Sequence, residues 1–160
     1  VELFRITRIK YLENFTGRGG SFVNGARWNQ PGIPVLYFAL TPSVALLEMA
    51  NYLPNPRLIP DDYRLGIYYL PDTVSSQTLT VNNLPQDWSR YPYPSSTQKI
   101  GSQWLNEGGS LILFVPSVAV PAGLENIALI NPRHPDINKL KLSSVESDLY
   151  NDRAFKGIGD

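Results

Sequence analysis

The chain has no cysteine and a single histidine, His134, among its 160 residues. Without cysteine there is no disulfide framework and no thiolate metal site. One histidine rules out a histidine-cluster metal centre, so no metal is expected. Charge is scarce as well: Asp, Glu, Lys and Arg make up 18% of the residues, below the usual quarter, and the formal net charge is +0. Phosphate-backbone affinity depends on clustered Lys and Arg, so neither nucleic-acid binding nor membrane-surface binding is expected. A local basic site for a small anion stays compatible with this balance. No apolar run approaches the length that spans a bilayer, and no signal peptide is visible. A cytoplasmic protein is the expectation, although Val1 need not be the native start.

What is present is a foldable, mostly uncharged polymer. Hydrophobic residues are 42% of the chain, and 160 residues suit one domain spanning 1–160 with a proper core. Fourteen prolines and twelve glycines are spread along the sequence. They predict many short elements with tight connections, without internal repeats.

The elements follow from local pattern. Leu3–Ile6 predicts a first strand carrying Arg5, which flanks a site or simply sits at a strand end. Residues 14 to 32 hold Gly17, Gly19, Gly20, Asn24, Gly25, Pro31 and Gly32, a turn-rich segment. Glycines let backbone N–H groups approach an anion, but neither the P-loop spacing nor the dinucleotide fingerprint is present. Pro34–Leu40 predicts a buried strand with Val35, Tyr37 and Ala39 on one face and Leu36, Phe38 and Leu40 on the other. Thr41-Pro42 starts a helix, with a hydroxyl at the cap and proline at the first position. It is expected to run to about Leu53, before Pro54. Asn55 to Tyr63 is a connector, and strands are expected over Leu65–Leu70 and Thr78–Val81. Leu84–Pro94 is irregular and aromatic; its Trp88–Tyr93 part is a candidate partner surface. Ser96 or Thr97 caps a helix to about Asn106, with Ile100 and Trp104 in the core. Ser110–Val115 is the most apolar strand and is expected to be central. Asn126–Ile130 is a strand, Asn131–Pro135 a rigid turn, Lys139–Leu142 a late edge strand, and Ser147–Asp160 a peripheral tail.

The chemistry concentrates between Asn24 and Leu53. Arg27 sits in the turn-rich piece, Tyr37 on the strand and Glu48 in the helix, the only charged residue between Arg27 and Arg57. One cation, one phenol and one carboxylate on three successive elements compose a small polar site on an apolar scaffold. The planar fork of Arg27 suits a diphosphate; a salt bridge or a cation–π contact with Trp28 is the competing reading. Tyr37 offers a ring face to a flat heterocycle, or is a core tyrosine with its hydroxyl satisfied. Glu48 shares a helical face with Val44, Ala45, Asn51 and Tyr52. Ser117 follows a buried strand, but a serine triad would have to use His134 and lacks a nucleophile elbow. Serine hydrolysis is therefore rejected, and Ser117 is read as a hydrogen-bond donor.

These residues resemble the RES domain family, bacterial toxins named for an Arg, a Glu and a Ser. The matching positions are Arg27 in G-A-R-W-N, Glu48 in S-V-A-L-L-E and Ser117 in V-P-S. Phe4-Arg5-Ile6, Tyr37 in V-L-Y-F-A, Trp104 and the turn N-P-R-H-P support them in the right order over most of the chain. Ala26 departs from the second glycine common there. The resemblance implies an α+β fold like that of ADP-ribosyltransferases: a split mixed sheet, a few short helices and a central NAD cleft. It implies that NAD is a substrate, cleaved at the nicotinamide–ribose bond, with water or phosphate as acceptor and no recycled cofactor. It implies an Xre-type antitoxin that covers or enters the cleft, and a toxin homodimer in that complex is a further expected arrangement.

Cleavage of that bond builds positive charge on the ribose, which a fixed carboxylate stabilises. Glu48 is expected to take that role, Arg27 to bind the diphosphate and Tyr37 to pack on nicotinamide or ribose. Ser117 and Arg5 are expected among the NAD contacts. Transfer of ADP-ribose to a protein is the alternative reaction. A catalytically inert binding module is the reading from another class, favoured if Arg27, Tyr37 and Glu48 fail to converge.

Overall fold

A computed structural model describes residues 1–53, 55 and 58–157. Seven strands form one mixed sheet: β1 (Glu2–Arg8), β2 (Leu36–Ala39), β3 (Tyr63–Tyr69), β4 (Ser76–Thr78), β5 (Ile112–Pro116), β6 (Asn126–Ile130) and β7 (Lys141–Glu146). Their order across the sheet is β4-β5-β6-β2-β1-β3-β7. Only the β4–β5 pair is parallel. Among the described residues three α-helices accompany it: α1 (Gly20–Asn24), α2 (Pro42–Ala50) and α3 (Ser95–Glu107).

The sheet is nearly two leaves. β1 pairs with β3 from Glu2↔Tyr69 to Arg8↔Tyr63, and β2 with β6 from Leu36↔Ile130 to Ala39↔Ile127. Between β1 and β2 the register holds one pair, Phe4↔Ala39. Beyond that pair the leaves part, and Arg5, Ile6, Tyr37 and Phe38 line a cavity of 210 Å³ in the gap. This is the split expected of the fold.

Strand alternation sorts the core onto two faces. Phe4, Val35, Ala39, Val115 and Leu129 pack with Val44 and Ala45 of α2 and with Trp104 and Leu105 of α3. Leu3, Leu36, Phe38, Tyr68 and Ile130 form the opposite layer with Leu70 and Leu140. Tyr68 closes that layer: its ring meets Phe38 edge-on at 5.0 Å, and its hydroxyl donates to the Leu12 carbonyl at 2.7 Å.

Several element bounds differ from the sequence expectation, for local reasons. β2 begins at Leu36 and α2 ends at Ala50; Asn51 N–H then bonds back to the Glu48 and Met49 carbonyls. α2 does start at the expected cap, where Thr41 accepts from Val44 N–H at 3.2 Å. α3 begins at Ser95 with Pro94 as cap, and Thr97 Oγ1 donates to the Pro94 carbonyl. β4 lies at Ser76–Thr78 because Thr80 and Asn83 close a capping box and turn Val81–Asn83 into a 3-10 segment. β5 is second from one edge, not central; its burial comes from cover on both faces and from β4 along its side. β7 starts at Lys141, since Pro135–Lys139 is a 3-10 turn in which His134 Nδ1 accepts from Asp136 N–H. The tail is less peripheral than expected: Tyr150 donates to the Leu46 carbonyl of α2 at 2.7 Å. The expected connector Asn55–Tyr63 and the end of the tail fall partly outside the described residues. No helix among the described residues is long and apolar enough to cross a membrane.

Candidate active site

The loop from Gly25 to Ile33 is built to hold Arg27 still. Gly25 turns the chain at φ 74°, which favours glycine. Ala26 N–H then bonds the Asn29 carbonyl at 3.0 Å. Asn29 is fully buried, and its side chain is the loop's hub. Its Nδ2 donates to the Ser21 carbonyl at 2.8 Å and the Ile33 carbonyl at 3.2 Å; its Oδ1 accepts from the Tyr37 hydroxyl at 2.7 Å. α3 braces the loop from outside. Gln98 Nε2 donates to the Ala26 carbonyl at 3.1 Å, and Ser102 Oγ accepts from Gln30 N–H at 3.0 Å. Helix and loop touch at Gly101, where an added Cβ would stand 1.8 Å from the Trp28 carbonyl oxygen.

Arg27 is buried and committed. Its Nη1 donates to the carbonyls of Trp88 and Arg90, both at 2.7 Å. Its guanidinium lies 5.3 Å from the centre of the Tyr93 ring. The cation–π partner is therefore Tyr93, not Trp28, and Arg27 ties the aromatic Trp88–Tyr93 segment to the cleft. Burial lowers its pKa from the usual value, opposed first by Tyr93 and then by Glu48.

Glu48 is half-buried on the inner face of α2. Ser117, fully buried just past β5, donates from Oγ to Glu48 Oε1 at 2.7 Å and accepts from Ala119 N–H at 3.1 Å. Burial pushes the Glu48 carboxyl above its ordinary value; the Ser117 bond and the Arg27 charge act against that push. The result is a carboxylate with one oxygen fixed by a neutral donor, facing a cation across the cleft.

Arg27, Tyr37 and Glu48 converge on one cavity of 500 Å³, where Asn51, Tyr52 and Tyr93 join them. That size suits a small-molecule ligand. Tyr37 spends its hydroxyl inside the protein, donating to Asn29 and accepting from Trp28 N–H at 3.2 Å. Burial raises its pKa strongly, so it stays a neutral phenol whose ring forms cavity wall. Arg5 stands apart from Arg27. It shares the smaller cavity between the leaves with Tyr37 and Glu48. Its guanidinium lies 5.9 Å from the Phe38 ring centre, and its buried Nη1 has no hydrogen-bond partner among the described residues. Ser117 lines neither cavity and reaches the site through Glu48.

No site role was expected of Asn29 or Tyr52, and Tyr93 was expected only in a partner surface. Asn29 stands in the motif R-W-N, and a buried asparagine in a turn-rich loop is a signal for a backbone-organising side chain. Tyr52 is four residues past Glu48, in the turn that follows α2. Tyr52 is 66% exposed overall, yet desolvation of its hydroxyl and then the neighbouring Tyr93 raise its pKa. Nothing local in the sequence signals that Tyr52 and Tyr93 line one cavity. Among the described residues no group of His, Asp and Glu is placed to hold a metal.

Fold and site together define a class: an α+β protein of the ADP-ribosyltransferase-like build, with an arginine, a tyrosine and a serine-held glutamate around one cavity. Comparison with known proteins gives the family. A family profile described as RES domain matches residues 2–151. The chain is 36% identical over 138 residues to "Toxin Res" of Photorhabdus laumondii, covering 86% of this chain and 85% of that one. It is 35% identical over 139 residues to the "Prs ADP-ribosylating toxin" of a Sphingobium species, covering 86% and 84%. The crystal structure of the M. tuberculosis MbcT–MbcA toxin–antitoxin complex contains a chain of similar fold, with a TM-score of 0.72 at 19% identity, over 91% of this chain and 82% of that one. The chain belongs to the RES domain family, and within it groups with toxins.

Proposed function

We propose that this protein is the toxin of a toxin–antitoxin pair and acts by consuming NAD, cleaving the bond between nicotinamide and ribose. The observation that carries the reading is the Glu48 carboxylate, fixed by Ser117 at the wall of a cavity that also holds Arg27 and Tyr37. The bond from ribose C1′ to the pyridinium nitrogen breaks, and its electron pair goes to nicotinamide, which leaves neutral. C1′ becomes electron-poor, and a carboxylate at fixed distance stabilises the developing charge. No general acid is needed, in keeping with a site built without histidine. Water or phosphate then forms the new C1′–O bond and releases its proton to solvent.

In this reading Glu48 is the catalytic residue, and Ser117 is a positioning residue acting through it. Arg27 supplies positive charge toward the diphosphate and holds the Trp88–Tyr93 segment; the Tyr37 ring packs on the nicotinamide half. Arg5 is the second cationic contact, since its unpartnered Nη1 is costly unless an anion arrives. The toxin–antitoxin complex of similar fold supports an antitoxin partner, with the Xre type as the proposal, seated over the cleft. Transfer of ADP-ribose to a protein is the second reading, favoured by the name of the Sphingobium relative.

The test is nicotinamide release from NAD by the purified protein, with and without phosphate, beside Glu48→Gln. Glu48-dependent release with ADP-ribose or its phosphate ester as product supports the first reading. Release only when a protein acceptor is present supports the second. An absence of release under every condition would leave the inert binding module.

A further inference from the structure

Gly17, Gly19 and Gly20 have no part in the site described so far, yet they border a further cavity of 450 Å³. Arg5, Tyr37, Arg18, Gly19, Gly20 and Ser21 are among its walls. It meets the gap between the leaves at Arg5 and Tyr37, which line both spaces. Two arginines and no Asp or Glu line it, and neither arginine is in an ion pair among the described residues. Arg18 is exposed, with its guanidinium resting 5.6 Å from the Phe22 ring centre. Arg5 Nη1, buried and without an acceptor, adds a donor in the adjoining wall.

The glycines carry a second, independent signal. Gly17 is demanded by the fold: its φ is +68°, and a Cβ there would stand 2.8 Å from Pro132 Cγ and from the Val35 nitrogen. Gly19 and Gly20 are not. Neither has a positive φ, and a Cβ at either meets nothing within 4 Å. Packing does not explain two consecutive glycines beside a cationic cavity. Gly19 caps α1, a position that favours glycine, but Gly20 has no such duty, and close approach of a ligand to bare backbone accounts for it.

We infer that this cavity is the subsite for the adenylate half of NAD, with Arg18 and the Gly19-Gly20 backbone as its contacts and Arg5 at the junction with the reaction cleft. The inference rests on the NAD reading and orients the substrate: nicotinamide lies by Glu48, and the AMP portion passes Tyr37 toward the glycine loop. Arg27, whose Nη1 is already bound by two carbonyls, faces the diphosphate from the nicotinamide side. Size agrees, since pockets of about 300–1,000 Å³ enclose ligands of this class.

Two measurements on the purified protein test it. The first is calorimetric binding of AMP to the wild type, Arg18→Glu and Gly20→Val. The second is turnover of NAD against nicotinamide mononucleotide, which has the scissile bond but lacks the adenylate. The expected result is AMP binding that weakens about tenfold or more in both variants. KM for NAD rises to match with kcat little changed, and mononucleotide turnover is unaltered. NAD consumed normally by both variants, or both substrates impaired equally, overturns the subsite and leaves the NAD reading in place. AMP binding that depends on Arg18 in a protein that cleaves neither substrate keeps the nucleotide site and overturns the cleavage reading. Neither AMP binding nor cleavage overturns both. Circular dichroism melts of the variants, expected to match the wild type, separate these outcomes from misfolding.

Discussion

Ser117 Oγ donates a 2.7 Å hydrogen bond to Glu48 Oε1, joining the end of β5 to the last turn of α2. The serine is fully buried, with its oxygen also taken by Ala119 N–H. The bond therefore serves the carboxylate and leaves nothing for a ligand. A donor to the ionised form favours that form. It opposes the burial that pushes the carboxyl up.

Replacing Ser117 by Ala removes that opposition. The Glu48 pKa should rise further, and the acid limb of the activity profile should move to higher pH, since the carboxylate is the active form. At neutral pH kcat should fall about tenfold with KM nearly unchanged, the size of one charge-assisted hydrogen bond. A pH–rate profile of the variant checks it. A rise in KM with an unmoved acid limb would show that Ser117 contacts substrate directly.

Glu48→Gln separates stability from catalysis. The raised pKa means that the folded state holds this proton more tightly than the unfolded chain. The group thus favours folding below its unfolded-state pKa, and that contribution is lost as pH rises through the folded value. Gln has no charge to bury and still offers an oxygen to Ser117. The variant should melt at or above the wild-type temperature near pH 8, while turnover falls about 10²–10³-fold. Thermal melts and nicotinamide release on one preparation measure both.

Arg27 has a structural duty that its charge alone does not reveal. Arg27→Ala strands the Trp88 and Arg90 carbonyls, which share its Nη1. The expected loss is about 1–3 kcal/mol of stability, with faster hydrogen exchange over residues 88–93 and weaker NAD binding. Arg27→Lys restores the charge but not the fork, so it should recover affinity in part and loop protection hardly at all. Equal exchange in all three proteins would reduce Arg27 to a charge.

Much of this was legible locally. β6 lies where its apolar run predicted, the Thr41-Pro42 cap starts α2, and alternation placed Tyr37 on the Val35–Ala39 face. The motif residues Arg27, Tyr37 and Glu48 were readable as a set because they fall within one short stretch. What was not legible depends on distant partners. Ser117 was expected near the substrate, and its meeting with Glu48 depends on β5 ending beside α2. The place of β5 second from an edge depends on a three-residue strand, β4, too short and polar to announce itself. The hold of Arg27 on Trp88 and Arg90 is made by backbone carbonyls, which carry no residue-specific signature.

The tightest joint in the site is glycine against backbone. A Cβ on Gly101 would stand 1.8 Å from the Trp28 carbonyl oxygen and 2.7 Å from its carbon. Backbone does not swing aside as a side chain does, so Gly101→Ala must push α3 away from the loop. Overpacking of this kind costs about 1–3 kcal/mol. The displacement also pulls on the Gln98–Ala26 and Ser102–Gln30 bonds that flank Arg27. Activity should therefore fall by more than the melting temperature alone predicts. Gly109→Ala is the control: a Cβ there meets nothing within 4 Å and its φ is not positive, so its effect should stay within about 0.5 kcal/mol. Thermal melts of both variants, read beside nicotinamide release at a temperature where each is fully folded, give the comparison. Full activity in folded Gly101→Ala would mean that the loop carrying Arg27 keeps its geometry without the close contact to α3.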